Sequence, residues 1–313
     1  MTLAVPLSPG AVALAKETLA TKSKSFALAS HLLPPAHRDE MAVLYAWCRH
    51  VDDAIDLAPR AERPAALARL RAELDDVYAG APGSPILSAF ADLVRARRIP
   101  RAYPEELLAG MEMDVLRARY LTLADLELYC FRVAGVVGLM ACHVLGVSEP
   151  GALRNAAHLG IAMQLTNVCR DVEEDLADGR VYLPSEMLGV SLDRAPAEGS
   201  PARTAVQRTV ATLLTLADRY YRSADRGLPA LGLRPALGIR VARHVYAAIG
   251  AILRRRAFDP FRGRAFVPLL HKLALVLLAV VLTLAELPAR LLRRRAIVTP
   301  DRVLGFPHDV LPV

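Results

Sequence analysis

The chain has 313 residues, and its 54% hydrophobic content with only 5% aromatics makes the apolar mass chiefly Ala, Leu and Val. That composition favours helices packed on helices around an ample core, so an all-α protein is expected, and it excludes a small disulfide-stapled scaffold. The formal charge of +7, carried largely by arginine, suits an anionic partner: nucleic acid, an anionic membrane surface or a phosphorylated substrate.

In chain order, the N-terminal stretch MTLAVPLSPGAVALAK lacks a basic segment followed by a sustained apolar core, so no signal peptide is expected. Helical segments then alternate with proline and glycine breaks at 32–38, 79–85, 97–104, 146–151, 188–203 and 258–264. No period-two alternation long enough for a sheet occurs, and no internal repeat speaks for a solenoid. The polar loop near 190–203 reads as a flexible connection rather than a domain boundary, and 1–313 is expected to form one domain. Cys48, Cys130, Cys142 and Cys169 sit singly in apolar stretches and read as reduced thiols. Towards the end, Leu273 to Ala285 carries no charge between Lys272 and Glu286. A spanning helix needs about 20 apolar residues, so this run is expected either to pack in the core or to lie on a membrane surface, where the ARLLRRR cluster (289–295) would meet anionic head groups.

The chemistry begins at LYAWCRHVDDAID (44–56). Residues four apart share a helix face, so Asp52 and Asp56 point at one site while Asp53 lies about 100° round. In QLTNVCRDVEEDLADGRVYLP (164–184), Asp171 and Asp175 repeat the spacing, and Gln164 and Asn167 extend the stripe N-terminally. Ile161, Leu165, Val168 and Val172 fall on the core-facing side. Two such helices facing each other make a pocket of hard oxygen donors, which suits Mg²⁺, or Mn²⁺, better than zinc. Because Mg²⁺ is usually held by one or two carboxylates plus substrate phosphates, the pattern implies a phosphorylated substrate, whose charge Arg49 and Arg170 would complement. A di-iron bundle site is the chemical rival, but it requires Glu-x-x-His pairs and the chain has none. His50 reads as a supporting or surface group, Arg254, Arg255 and Arg256 as a solvated face, and Tyr45 and Trp47 as core. No basic stripe with interleaved aromatics marks a nucleic-acid binder.

Together, SKSFALAS (23–30), LYAWCRHVDDAID, YCFRVAGVVGLM (129–140) and QLTNVCRDVEEDLADGRVYLP resemble the phytoene/squalene synthase family, and most the bacterial phytoene synthases. The match runs in order from about residue 15 to 265, and 266–313 align loosely. The resemblance implies an isoprenoid synthase fold, a helical bundle around a central apolar cavity. It also implies head-to-head condensation of two geranylgeranyl diphosphates to phytoene through prephytoene diphosphate, in carotenoid biosynthesis. Squalene and dehydrosqualene synthases, which use two farnesyl diphosphates, are the alternative within the fold; a non-catalytic relative acting in membrane-complex assembly is the alternative outside enzymology. Carried over residue by residue, Asp52, Asp56, Asp171 and Asp175 hold the metal with Asn167, and Ser23, Lys24, Ser25, Phe26, Arg49, Gln164 and Arg170 line the diphosphate end. Val133, Ala134, Val137, Gly138 and Leu139 wall the prenyl chain, Gly135 and Gly138 leave it room, and Tyr129 and Tyr246 stand near the reacting carbons. NADPH is not expected for phytoene, whereas squalene synthases use it. The expected setting is cytoplasmic and peripheral on the inner face of a membrane, with a phytoene desaturase downstream.

Overall fold

The computed structural model describes residues 7–116 and 119–292, and among them every regular element is helical. The tail after Leu292, with the last three arginines of ARLLRRR, lies outside the described residues, as do the side chains of Lys24 and Ser25.

The sequence punctuation sets the helix starts. Proline opens α1 (Pro9–Lys22), α3 (Pro35–Asp56), α5 (Pro85–Arg97), α9 (Pro150–Arg170) and α12 (Pro201–Gly227), where its missing N–H costs nothing. Side-chain caps add to this: Ser23 caps α2 (Lys24–Ser30), Ser84 caps α5 and Ser200 caps α12. Thr122 and Asp125 form a reciprocal box at the start of α7 (Leu123–Cys130). Between α3 and α5 runs α4 (Arg63–Ala79), ended by Gly80 at φ 82°, a left-handed turn that glycine adopts without steric cost. The remaining helices are α6 (Ala102–Val115), α8 (Val136–Val144), α10 (Val172–Ala177), α11 (Ser185–Leu188), α13 (Leu233–Arg255), α14 (Leu269–Ala285) and α15 (Leu287–Leu292).

Helix α9 forms the axis of the bundle, against which α8, α12 and α13 pack. Its Ile161, Leu165 and Val168 are buried with Val172 of α10, as the core-facing side of the aspartate stripe requires. On the opposite side, α3 packs on α1, α4, α5 and α8, with Trp47 stacked on Phe90 at 4.1 Å between ring centroids. Between α7 and α8, Phe131–Gly135 makes a π turn, which widens the helix where the YCFRVAGVVGLM segment changes from polar to apolar surroundings. All four cysteines are free thiols, Cys130, Cys142 and Cys169 fully buried.

Two sequence expectations need correction. The stripe Gln164, Asn167, Asp171 and Asp175 does not lie on one unbroken helix: α9 ends at Arg170, and Asp171 turns the chain at φ −99°, ψ 12° into α10. The spacing survives because the Asp171 N–H still bonds the Asn167 carbonyl and the Asp175 N–H the Asp171 carbonyl, both at 2.8 Å. The core reading of 273–285 also fails. Only Ala279 and Thr283 of α14 are buried; Leu275 packs partly against the core, and most of the other leucines face outwards.

Candidate active site

Helix α3 delivers Asp52 and Asp56, and the α9–α10 bend delivers Asp171 and Asp175, to the walls of one cavity of about 340 Å³. Arg49, Tyr129, Gln164 and Asn167 line it too. The predicted pocket of four aspartates therefore exists, assembled from segments more than a hundred residues apart. Asp53 points elsewhere: Arg49 and Lys22 hold it, and against the cost of its partial burial they keep its carboxyl below the usual range.

Three of the four acids carry arginine partners. Arg49 Nη1 donates to Asp52 at 2.9 Å, Arg170 Nε to Asp171 at 2.7 Å, and Arg180 Nη2 to Asp56 at 2.8 Å. Arg264 stands 3.3 Å from Asp171 and also pairs with Glu174. Even so, burial and the neighbouring Asp56 lift Asp52 to about 6, and burial and Asp171 lift Asp175 to about 7. Burial thus makes ionising Asp52 and Asp175 costly, and a cation bound between the pairs would offset that cost.

Below the aspartates, Asp114 of α6 is buried and accepts from Tyr129 at 3.0 Å and Tyr182 at 2.7 Å. The rings of Tyr129 and Tyr182 stack at 4.9 Å, and Tyr120 packs against both. Burial raises the Asp114 carboxyl and drives the Tyr129 phenol far above its ordinary value, so Tyr129 stays a neutral donor. The i, i+4 spacing does not mark Asp114, Arg180 or Tyr182. Arg180 and Tyr182 do stand in the quoted GRVYLP, and Asp114 interrupts the buried stripe Leu107, Met111, Asp114 with an acid, which was the available signal.

A second, apolar cavity of about 320 Å³ continues from the first through Tyr45, Cys48, Val133, Gln164 and Asn167, which line both. It follows α9 from Asn167 down to Ala152, about 22 Å at the helical rise. Phe26, Ala134, Val137, Gly138 and Tyr246 are on its walls, with the Phe26 and Tyr246 rings 5.6 Å apart. Tyr45, expected in the core, is a cavity wall instead. Leu139 is buried away from the cavity. The glycines do not act as predicted: a Cβ at Gly138 would lie 2.4 Å from the Ala156 carbonyl oxygen, and one at Gly135 2.8 Å from the Phe131 ring. They allow backbones to touch rather than making room for a chain. Ser23 lines neither cavity; it caps α2 and hydrogen-bonds Tyr45. His50 bonds Glu73 at 2.7 Å, outside the site. Arg254 and Arg256 are not simply solvated, since Arg254 pairs with Asp218 and Arg256 donates to the Arg262 and Gly263 carbonyls.

The donors fit a hard divalent cation. The acids offer only oxygen, and Asn167 Oδ1 is buried without a hydrogen-bond partner at the junction of the two cavities. Among the described residues, no three His, Cys, Asp or Glu side chains converge on one point, so the protein alone does not close a metal cage. Mg²⁺ needs no such cage when substrate phosphates and water complete its shell.

The residues 19–271 match the squalene/phytoene synthase family model. A 15-cis-phytoene synthase of Pantoea ananas is 39% identical over 276 residues, 85% of this chain and 89% of that protein. One from Paracoccus sp. is 38% identical over 256 residues, covering 79% and 84%. Among solved structures, a dehydrosqualene synthase in complex with ligand superposes with a TM-score of 0.78 at 29% identity, covering 88% of this chain and 97% of that one. A squalene synthase from Alicyclobacillus acidocaldarius gives 0.72 at 26%, covering 80% and 96%. Matched by the family model over residues 19–271 and by relatives 38–39% identical over most of both chains, the chain belongs to the squalene/phytoene synthase family.

Proposed function

We propose that the chain is a metal-dependent prenyltransferase, a single isoprenoid synthase domain that joins two C20 geranylgeranyl diphosphates head to head to give phytoene. The likeness to relatives named as phytoene synthases carries the choice of C20, and the length of the apolar cavity admits it. At about 1.2 Å per bond, as in an extended polypeptide, a C20 prenyl chain reaches about 18 Å and a C15 chain about 13 Å. The cavity is lined along about 22 Å of α9, enough to house the longer chain. The relatives named as phytoene synthases agree with this reading.

Asp52, Asp56, Asp171, Asp175 and Asn167 would hold Mg²⁺, or Mn²⁺, which when bound supplies the positive charge that makes diphosphate a competent leaving group. Arg49, Arg170, Arg180 and Arg264 already stand among the acids and turn their donors to phosphate oxygens when substrate arrives. The apolar walls from Phe26 to Ala152 exclude water from the allylic cation, and the Tyr129 and Tyr246 rings offer it their faces. Loss of a proton ends the sequence, so NADPH is not required. The product is an insoluble hydrocarbon, which supports a peripheral position on the cytoplasmic face of a membrane and delivery to a desaturase.

The likeness to a dehydrosqualene synthase supports a second reading, condensation of two C15 units. Incubating the protein with C15 and C20 diphosphates and Mg²⁺, with and without NADPH, separates them: a C40 product independent of NADPH is expected, and a preferred C30 product refutes the C20 assignment. A non-catalytic role in complex assembly is opposed by the four aspartates around one cavity, and turnover of either substrate ends it.

A further inference from the structure

Helix α14 has its apolar face on the outside. Leu269, Leu270, Leu273, Leu277, Val281 and Leu284 are each at least half exposed, on the arc opposite buried Ala279 and Thr283. Phe266, 70% exposed, extends the same surface just before the helix. Over 17 residues, about 25 Å, the exposed arc carries no charged side chain. The inner face is fixed to the bundle. Ala279 packs with Val241 and Val245 of α13, and Glu286 at the helix end pairs with Arg240 and Arg290.

We propose that this outer face of α14 seats in the acyl layer of an anionic lipid surface, with the helix lying parallel to the membrane plane. This rests on the phytoene reading only for its purpose, not for its evidence. Three observations select lipid as the occupant. A protein-protein interface of this length would carry hydrogen-bonding side chains, about one bond per 100–200 Å², and the arc offers none. The charge is complementary to anionic head groups: Glu286 is paired with Arg240 and Arg290 within the protein, while Arg255 at the end of α13 is exposed, in a chain of net charge +7. The helix is also too short to span a bilayer, which takes about 20 residues, and its inner face is already occupied by α13.

The position of α14 gives the contact a use. Its first turn follows the loop that brings Arg264 to Asp171, at the diphosphate end of the site. Beyond its last turn, Arg290 donates to the carbonyls of Leu228 and Leu231, two residues of the apolar cavity floor. Helix α14 therefore runs alongside the whole prenyl cavity. Only α13 separates the two, with Ile239, Ala242 and Tyr246 facing the cavity and Val241 and Val245 facing α14. A hydrocarbon formed in the cavity lies parallel to the acyl layer and one helix away from it.

The test is co-sedimentation of the full chain with vesicles of phosphatidylcholine alone and of phosphatidylcholine with about one-third phosphatidylglycerol. The parent protein is expected to bind the anionic vesicles more strongly, by a margin that shrinks with added salt. Leu273→Glu with Leu277→Glu, both solvent-facing, should lower the partition coefficient about a hundredfold, whereas Leu273→Met with Leu277→Met should preserve it. Turnover in detergent, together with circular dichroism, shows whether the glutamate variant is folded, and failure of turnover in every variant counts against the phytoene reading alone. Absence of binding by the parent, or equal binding by the glutamate variant, overturns the proposal. A parent dimer that the glutamates convert to monomer overturns it too, by giving the face to a second copy.

Discussion

Arg180 Nη2 reaches Asp56 Oδ1 at 2.8 Å, so the segment behind the second aspartate pair is tied to the last acid of the first. The same arginine lines the aspartate cavity beside Tyr182 and Asp114. Replacing it by alanine removes both the cross-link and a phosphate donor. Arg180→Ala is expected to lower kcat about 10² to 10³-fold, the usual loss for one preorganised charge-stabilising donor. Arg180→Lys should recover only part of this, since an ammonium lacks the planar fork. Steady-state kinetics that leave kcat unchanged and raise only KM would reduce Arg180 to a substrate anchor.

Asp52 and Asp175 are lifted to about 6 and about 7, first by burial and then by their paired aspartates. Both values lie above the unfolded carboxyl value of about 4, so folding without metal takes up protons. The stability these groups contribute is complete below pH about 4 and is lost as pH rises through 6 to 7. Asp52→Asn is therefore expected to raise the Tm of the metal-free protein at pH 8 and to change it little at pH 4. Mg²⁺ with a diphosphate analogue should raise the parent's Tm at pH 8, because the ligands bind only the folded chain. Calorimetry at the two pH values checks both statements.

Gly160 and Gly138 hold α9 against the π turn and α8. A Cβ at Gly160 would lie 2.2 Å from the Ala134 carbonyl oxygen. Gly160→Ala must part the two backbones, and a cost of about 1–3 kcal/mol is expected from forced overpacking. Urea denaturation reads this directly. A variant with parental stability and lost activity would return these glycines to the role of leaving space for substrate.

Ala152 closes the far end of the apolar cavity. Ala152→Phe fills about the last turn of α9's wall, so kcat/KM for the C20 diphosphate should fall at least about tenfold more than that for C15. Equal losses for both substrates would show that chain length is set elsewhere.

Much of this site can be read from sequence because an i, i+4 pair on a helix has little freedom. Asp52, Asp56, Asp171 and Asp175 follow from spacing alone, and the bend at Asp171 leaves their spacing intact. What spacing cannot show is which distant side chains arrive. Asp114 lies on an otherwise apolar helix and becomes part of the site only through Tyr129 and Tyr182. Arg180 follows the motif immediately, but its partner Asp56 is fixed by tertiary packing. The glycines misled for a related reason: sequence does not tell whether a missing side chain faces a cavity or a backbone. For α14 the sequence leaves core and membrane surface both open, because hydropathy does not show how many faces of a helix are occupied; with one face on α13, most of its leucines stay outside.

The most direct test of the account follows product from geranylgeranyl diphosphate and Mg²⁺ in the parent protein and in Asp52→Asn and Asp175→Asn side by side. The account predicts phytoene from the parent without NADPH, and turnover lower by at least about 10²-fold in each variant. Undiminished turnover in either variant, or a C30 product formed in preference from farnesyl diphosphate, would contradict it.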